Sequence, residues 1–167
     1  MLQIWTVLTF LLVASAAAAE PAKTAVFDLE LIDTSAESGR VREDQSRRLA
    51  LASDALREFL SKSPQLQLVD IAPQAEAIRT KGPLHKCNGC DEDIAKALGA
   101  DLEVSGIVQK TSNLILSFAI TIKDVRTGKM IRGGQVDIRG NTDEDWLRGV
   151  RWVVKNRLLA EPLPVRS

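Results

Sequence analysis

Alternating apolar and polar positions predict a strand near the start of the chain, over residues 23–32. Its regularly spaced apolar residues are Ala25, Phe27, Leu29 and Leu31. A period of two is typical of a strand with one buried face. A polar loop over residues 33–39 follows, and then apolar residues recur at helical spacing over residues 42–62 until Pro64. This second pattern predicts a helix of about five turns.

The middle of the chain predicts shorter elements. Residues 66–71 have the pattern of a short strand, and Pro73 opens a short helix that reaches residue 78. A further helix begins with acidic residues at 91–93 and ends at Gly99, where a left-handed cap is expected. Three strand patterns come next, over residues 101–109, 113–124 and 129–138, and Thr127-Gly128 predicts a hairpin before the last one.

The last element is a helix over residues 142–159. Thr142 and Asp145 have the spacing of a capping box, with Asp in place of the usual Glu. The predicted order is therefore β-α-β-α-α-β-β-β-α. This order predicts an α/β fold in which helices pack on a mixed sheet.

The first 19 residues have the features of an export signal. Residues 2–13 are almost wholly apolar and uncharged, and Ala17-Ala18-Ala19 forms a small-residue cleavage site before Glu20. The apolar stretch is shorter than the roughly 20 residues of a membrane-spanning helix. We expect a signal peptide over residues 1–19, a single domain over residues 20–167, no transmembrane segment after cleavage, and a periplasmic location. The segment carries no Lys or Arg, so a retained membrane anchor is the alternative.

Composition and charge narrow the classes of partner. The chain has 167 residues, 45% hydrophobic and 26% charged, which is typical of one globular domain. Lys and Arg number 22, and Asp and Glu also number 22. The neutral balance gives no overall field for attracting nucleic acid, so we expect no nucleic-acid partner.

The chain has two cysteines, Cys87 and Cys90. An oxidising compartment favours a structural disulfide between them. Two alternatives stay open: a redox-active pair, and a zinc or copper site formed by His85, Cys87 and Cys90 with Asp91 or Asp93 as a fourth ligand. Covalent haem attachment is excluded, because Asp91 stands where the histidine of that motif would be.

Other catalytic arrangements are poorly supported. His85 is the sole histidine, so any Ser-His or Cys-His arrangement would have to use it. Asp28, Glu30 and Asp33 follow one another at the predicted first strand and suggest either a cation or acid/base site or an ordinary solvated surface. We therefore expect a protein without catalytic activity and without a cofactor.

The last predicted helix carries a second candidate site. Its core face collects Trp146, Leu147, Val150, Val153, Val154 and Leu158. Its opposite face collects Arg148, Arg151, Trp152, Lys155 and Leu159. A tryptophan among arginines is typical of an interface with a protein partner or a second copy. The alternatives are a solvated basic face with Trp152 under an arginine stem, and a surface that contacts anionic head groups.

Three segments of the sequence resemble a known family: TAVFDLEL at residues 24–31, CNGC at residues 87–90 and DIRGNTDE at residues 137–144. They resemble a family of exported bacterial proteins known only as a domain of unknown function. More distantly, LGAD at residues 98–101 and the TGK hairpin at residues 127–129 are similar to two periplasmic domains. These are the amino-terminal domain of the Tol-Pal propeller protein and the periplasmic domain of the curli secretion lipoprotein.

The distant resemblance implies a fold, and its function would carry over only by analogy. Those two domains bind other envelope proteins and are not enzymes, whereas this sequence has neither a propeller nor a cysteine for lipidation. Together, the sequence predicts a small exported accessory module that contacts another envelope or secreted protein. The alternative is a thiol-disulfide or metal-handling protein that uses His85, Cys87 and Cys90.

Overall fold

The computed structural model describes residues 20–36 and 43–164. The strands within these ranges are β1 (Ala22–Val26), β2 (Glu30–Asp33), β3 (Leu66–Val69), β4 (Leu102–Lys110), β5 (Ile115–Asp124) and β6 (Met130–Arg139). The helices are α1 (Glu43–Ser61), α2 (Ala75–Lys81), α3 (Cys90–Ala97) and α4 (Asp143–Val153). Two 3₁₀ segments, Ala72–Gln74 and Leu84–Lys86, precede α2 and α3, and a π-helical segment, Val154–Leu158, extends α4.

The strands form one mixed sheet in the order β3-β1-β4-β5-β6, and β2 also pairs with β4. β1 runs parallel to β3 and β4, whereas β4, β5 and β6 form an antiparallel meander. Helices pack on both faces of this sheet. The predicted fold class, helices packed on a mixed sheet, is confirmed.

The predicted first strand is interrupted, and one part of its prediction is wrong. Val26 pairs with Val104 and Glu30 pairs with Ile107, so this segment has one residue more than β4 between the two pairs. An extra residue shifts the side chains that follow it to the other face. Phe27 therefore packs in the cluster beside α3, whereas Leu29 packs in the opposite cluster beside α1. The Leu29 amide leaves the ladder and donates to Ser53 Oγ at 2.9 Å.

Two apolar clusters hold the layers together. The larger one lies between the sheet and the α1 and α4 helices, and Trp146 is completely buried in it. The Trp146 ring meets the Phe118 ring edge-on, with 5.5 Å between the centroids. The smaller cluster lies under α2 and α3 and includes Phe27, Leu84 and Ile94.

Several predicted helix and turn signals are confirmed. Thr142 and Asp145 form a capping box at the start of α4, in which Thr142 Oγ1 accepts from the Asp145 amide. Gly99 follows α3 with a φ of 68°, and Gly128 forms the turn between β5 and β6 with a φ of 65°. On the predicted core face of the last helix Leu147 is only half-buried, and the other five residues are buried.

The predicted signal peptide and part of the predicted polar loop fall outside the described residues. The signal peptide is residues 1–19, and the part of the loop concerned is residues 37–39. Within the described residues, no helix has both the length and the apolar character needed to cross a membrane.

Candidate functional site

A cleft of about 280 Å³ lies where the loop over residues 83–90, here called the cysteine loop, meets β4 and β5. Its apolar lining comes from Phe27, Leu84, Ile107 and Ala119. Its polar lining includes His85, Cys87, Asp91 and Lys123. The cleft therefore lies between the cysteine loop and Lys123, a charged residue that was not predicted as part of a site.

Glu30 fixes the cysteine loop to the sheet. Its Oε1 accepts from the Leu84 amide at 2.5 Å, and its Oε2 accepts from the His85 amide at 2.8 Å. The same Oε2 lies 2.6 Å from His85 Nδ1. The extra residue before β2 brings Glu30 to the face of the sheet on which this loop lies. The His85 ring is thereby held by a carboxylate and not by the cysteines.

The structure joins Cys87 and Cys90 in a disulfide, with their Cα atoms 5.8 Å apart. Cys87 ends the 3₁₀ segment, and Cys90 is the first residue of α3. Gly89 between them has a φ of 85°, a conformation that glycine adopts readily. With the sulfurs bonded to each other and His85 turned to Glu30, these three residues do not form a set of metal ligands in this structure. The redox and metal interpretations stay predictions.

Replacing both Cys87 and Cys90 with serine is expected to cost about 2 kcal/mol of unfolding free energy and to leave the fold intact. The loop that the disulfide closes is very short, so the bond restricts the unfolded chain only modestly. Urea unfolding of the double variant, with the reduced wild-type protein as control, measures the change. A loss of more than about 4 kcal/mol would mean that the bond does more than close this loop.

Asp28 and Asp33 bind other partners than Glu30 does. Asp28 pairs with Arg57 of α1. Asp33 accepts from Ser35 Oγ at 2.6 Å and from Lys110 Nζ at 3.3 Å. Burial acts to raise the pKa of Asp33, but the hydrogen bonds from Ser35 and Lys110 outweigh it and lower that pKa. The three carboxylates of the sequence analysis thus serve three separate contacts.

A cluster of three carboxylates surrounds one ammonium group beside the cleft, and we call it the acidic cluster. Lys123 Nζ lies 2.7 Å from Asp91 Oδ2, 2.9 Å from Glu92 Oε1 and 3.2 Å from Glu103 Oε1. Glu103 is completely buried. This cluster was not predicted, although a glutamate between the apolar residues Leu102 and Val104 in a predicted strand indicated a carboxylate close to the core.

The three environments shift the pKa values in different directions. Burial raises the pKa of Glu103 to about 7, against the attraction of Lys123. Burial also acts to raise the pKa of Asp91, but hydrogen bonds with Glu92 and Lys123 hold it below its usual value. The pKa of Lys123 is raised because its carboxylate partners outweigh the effect of burial. Glu103 therefore titrates near neutral pH.

The outer face of α4 lies on the other side of the sheet from the cleft. Trp152 is 38% exposed, and the Arg157 guanidinium lies 5.3 Å from its ring centroid. Arg148 pairs with Asp145, and Arg151 lies over the Phe59 ring of α1 at 5.6 Å. Lys155 is exposed. Arg148, Arg151, Trp152 and Lys155 are exposed on this face, and Arg157 is a further cation beside them that was not predicted. Leu159, which was predicted on the same face, is instead partly buried against the larger apolar cluster.

The sequence matches a family model over residues 22–158. The model is called DUF3280, and its description is "Protein of unknown function (DUF2380)". The chain belongs to the DUF3280 family. The match spans every strand and helix of the DUF3280 domain, which confirms the resemblance to a family of unknown function. No curated protein is similar enough in sequence to count as a relative.

Solved structures share the fold of this DUF3280 protein. The LpoB C-terminal domain from Salmonella enterica has a TM-score of 0.53 at 15% identity, over 74% of this chain and 87% of that one. The lipoprotein GNA1162 from Neisseria meningitidis has a TM-score of 0.51 at 20% identity, over 86% of this chain and all of that one. At such identities the likeness shows a common fold, and function is a separate question.

Proposed function

We propose that this protein is a small exported accessory module without catalytic activity, which contacts another envelope protein through the outer face of α4. The observation that carries the proposal is the exposed Trp152 among basic residues of that face. The export-signal pattern of residues 1–19 and the lipoprotein GNA1162 among the proteins with this fold support an envelope location, most simply the periplasm.

The chemistry of the outer face favours an acidic partner surface. Arg148, Arg151, Lys155 and Arg157 are exposed there, and Lys62 of α1 lies 5.4 Å from the Phe59 ring beside them. Desolvated tryptophan and arginine residues contribute most of the binding energy in many interfaces. A partner that covers Trp152 with an apolar group and meets the cations with carboxylates would match this face. A second copy of the chain and a membrane surface are the competing occupants.

The contacts of the sole histidine support a non-catalytic role. His85 is hydrogen-bonded through both its amide and its ring to Glu30, where it helps to hold the cysteine loop. The cysteines beside it are bonded to each other. These residues have structural partners that account for their positions.

Photo-crosslinking in living cells tests the proposal. A photoreactive amino acid is placed at position 152 and, as a matched control, at Leu114, which is 68% exposed at the β4–β5 turn. We expect one discrete adduct with an envelope protein from position 152 and none from position 114. Charge reversal at Arg148 and Lys155 should reduce that adduct at least tenfold, which corresponds to about 1.4 kcal/mol.

Three outcomes would contradict this proposal. Equal adducts from positions 152 and 114 would mean that labelling follows exposure alone. An adduct with a second copy of the chain would identify the face as a dimer interface. Crosslinks to lipid without a protein adduct would identify a membrane-contact surface.

A further inference from the structure

The acidic cluster has more negative than positive charge. Three carboxylates face the single ammonium group of Lys123, and one oxygen from each of Asp91, Glu92 and Glu103 can be chosen so that all lie within 4.8 Å of one another. Carboxylate oxygens are the ligands preferred by hard cations such as Ca²⁺. The Lys123 ammonium thus lies among carboxylate oxygens that could also bind such a cation.

Two oxygens of this cluster lack a donor among the described residues. They are Glu103 Oε2 and Glu92 Oε2, and both are buried. The Glu103 side chain is completely inaccessible to solvent, and its carboxylate lies beside those of Asp91 and Glu92. A buried carboxylate oxygen without a partner costs free energy. A bound cation would satisfy both oxygens, because carboxylates can bind Ca²⁺ through one oxygen or both.

We propose that Asp91, Glu92 and Glu103 form a site for a hard divalent cation of the calcium type, which exchanges with the ammonium group of Lys123. The exchange adds the cation to the three carboxylates, releases the Lys123 ammonium toward the cleft, and releases any proton held by Glu103. This site is independent of the α4 outer face, so its test does not depend on the proposed function.

The cleft provides room for the exchange. Lys123 and Asp91 both line it, and the Lys123 side chain is 24% exposed. The long lysine stem allows the ammonium to turn into this space of about 280 Å³ while its Cα stays in β5. Because the ammonium competes with the cation, we expect weak binding, with a Kd of about 10⁻⁴ to 10⁻³ M, the range of extracellular calcium modules.

Calorimetric titration of the purified full-length protein with CaCl₂ at pH 7 tests the site. The wild-type protein should bind one Ca²⁺. Lys123→Met should bind Ca²⁺ at least tenfold more tightly, and Glu103→Gln at least tenfold more weakly. Lys129→Met, an exposed lysine in the neighbouring turn, is the matched control and should leave binding unchanged.

The outcomes separate the site from a permanent salt bridge. No saturable binding by the wild-type protein up to about 10 mM Ca²⁺ would overturn the proposal, even if Lys123→Met bound the ion. Binding that Glu103→Gln leaves unchanged would also overturn it, because the ion would then lie elsewhere. If Lys123→Met does not fold, Lys123→Gln replaces it, with circular dichroism as the test of folding.

Discussion

Replacing Trp146 with alanine is expected to lower the free energy of unfolding by about 3 to 5 kcal/mol. The indole is completely buried between α4 and the sheet and meets Phe118 edge-on. Its Nε1–H donates to Asn141 Oδ1 at 2.8 Å, so the substitution also leaves that amide without its donor. Equilibrium urea unfolding, followed by circular dichroism, measures the loss.

Trp152→Ala is the matched control, because it makes the same substitution on the opposite face of the same helix. Trp152 is 38% exposed and its main described contact is with Arg157, so its loss should cost about 1 kcal/mol or less. Equal losses in the two variants would contradict the assignment of Trp146 to the core. A large loss in Trp152→Ala alone would mean that its face is structural.

The unfolding free energy is expected to fall as the pH rises from about 4.5 to 7, and Glu103 is the cause. Burial raises its pKa in the folded state from 4.5 to about 7, so the folded state holds this proton more tightly than the unfolded state does. Stability from this group is complete below pH 4.5 and is lost as the pH passes through about 7. At about 1.4 kcal/mol per pH unit, the loss amounts to about 3 kcal/mol.

Glu103→Gln isolates this effect, because glutamine has a similar shape and no proton to lose. The groups that face Glu103 are Lys123, Asp91 and Glu92. Asp91 has a lowered pKa and Lys123 a raised one, so both keep their charge over this interval. The free energy of unfolding is measured with urea from pH 4.5 to 8 in a chelating buffer. It should change less with pH for Glu103→Gln than for the wild-type protein. Glu161 is 82% exposed, so the control variant Glu161→Gln should keep the wild-type slope. If the two stability profiles are parallel, the pKa of Glu103 is not raised in the folded state, and the prediction is wrong.

Local signals in the sequence were sufficient for most elements. The capping box at Thr142, the glycine after α3 and the helical spacing of α4 act over a few residues, so they can be recognised without knowing the fold. Every second residue from Leu114 to Ile122 is a large apolar one, and of these Leu116, Phe118, Ile120 and Ile122 are completely buried. In contrast, Leu114 at the start of that pattern is 68% exposed, because it lies in the turn before the strand.

The interruption between β1 and β2 was not visible in the sequence. Ala25, Phe27, Leu29 and Leu31 alternate without a break, and an extra residue in a strand pair exists only relative to its partner. The pairing of Val26 and Glu30 with β4 creates it, and the hydroxyl of Ser53 in α1 receives the amide that leaves the ladder. This shift places the Glu30 side chain on the face of the sheet where the cysteine loop lies.

By itself, the sequence determined the fold class, the close cysteine pair and the two faces of the last helix, since each depends on spacing along one segment. Only the tertiary structure decided where charges meet. The register of β4 with β5 sets Glu103 opposite Lys123, and the position of α3 adds Asp91 and Glu92 from more than ten residues away. Ionisable groups interact through space, so their pKa values and their capacity to bind a cation follow from packing and not from order along the chain.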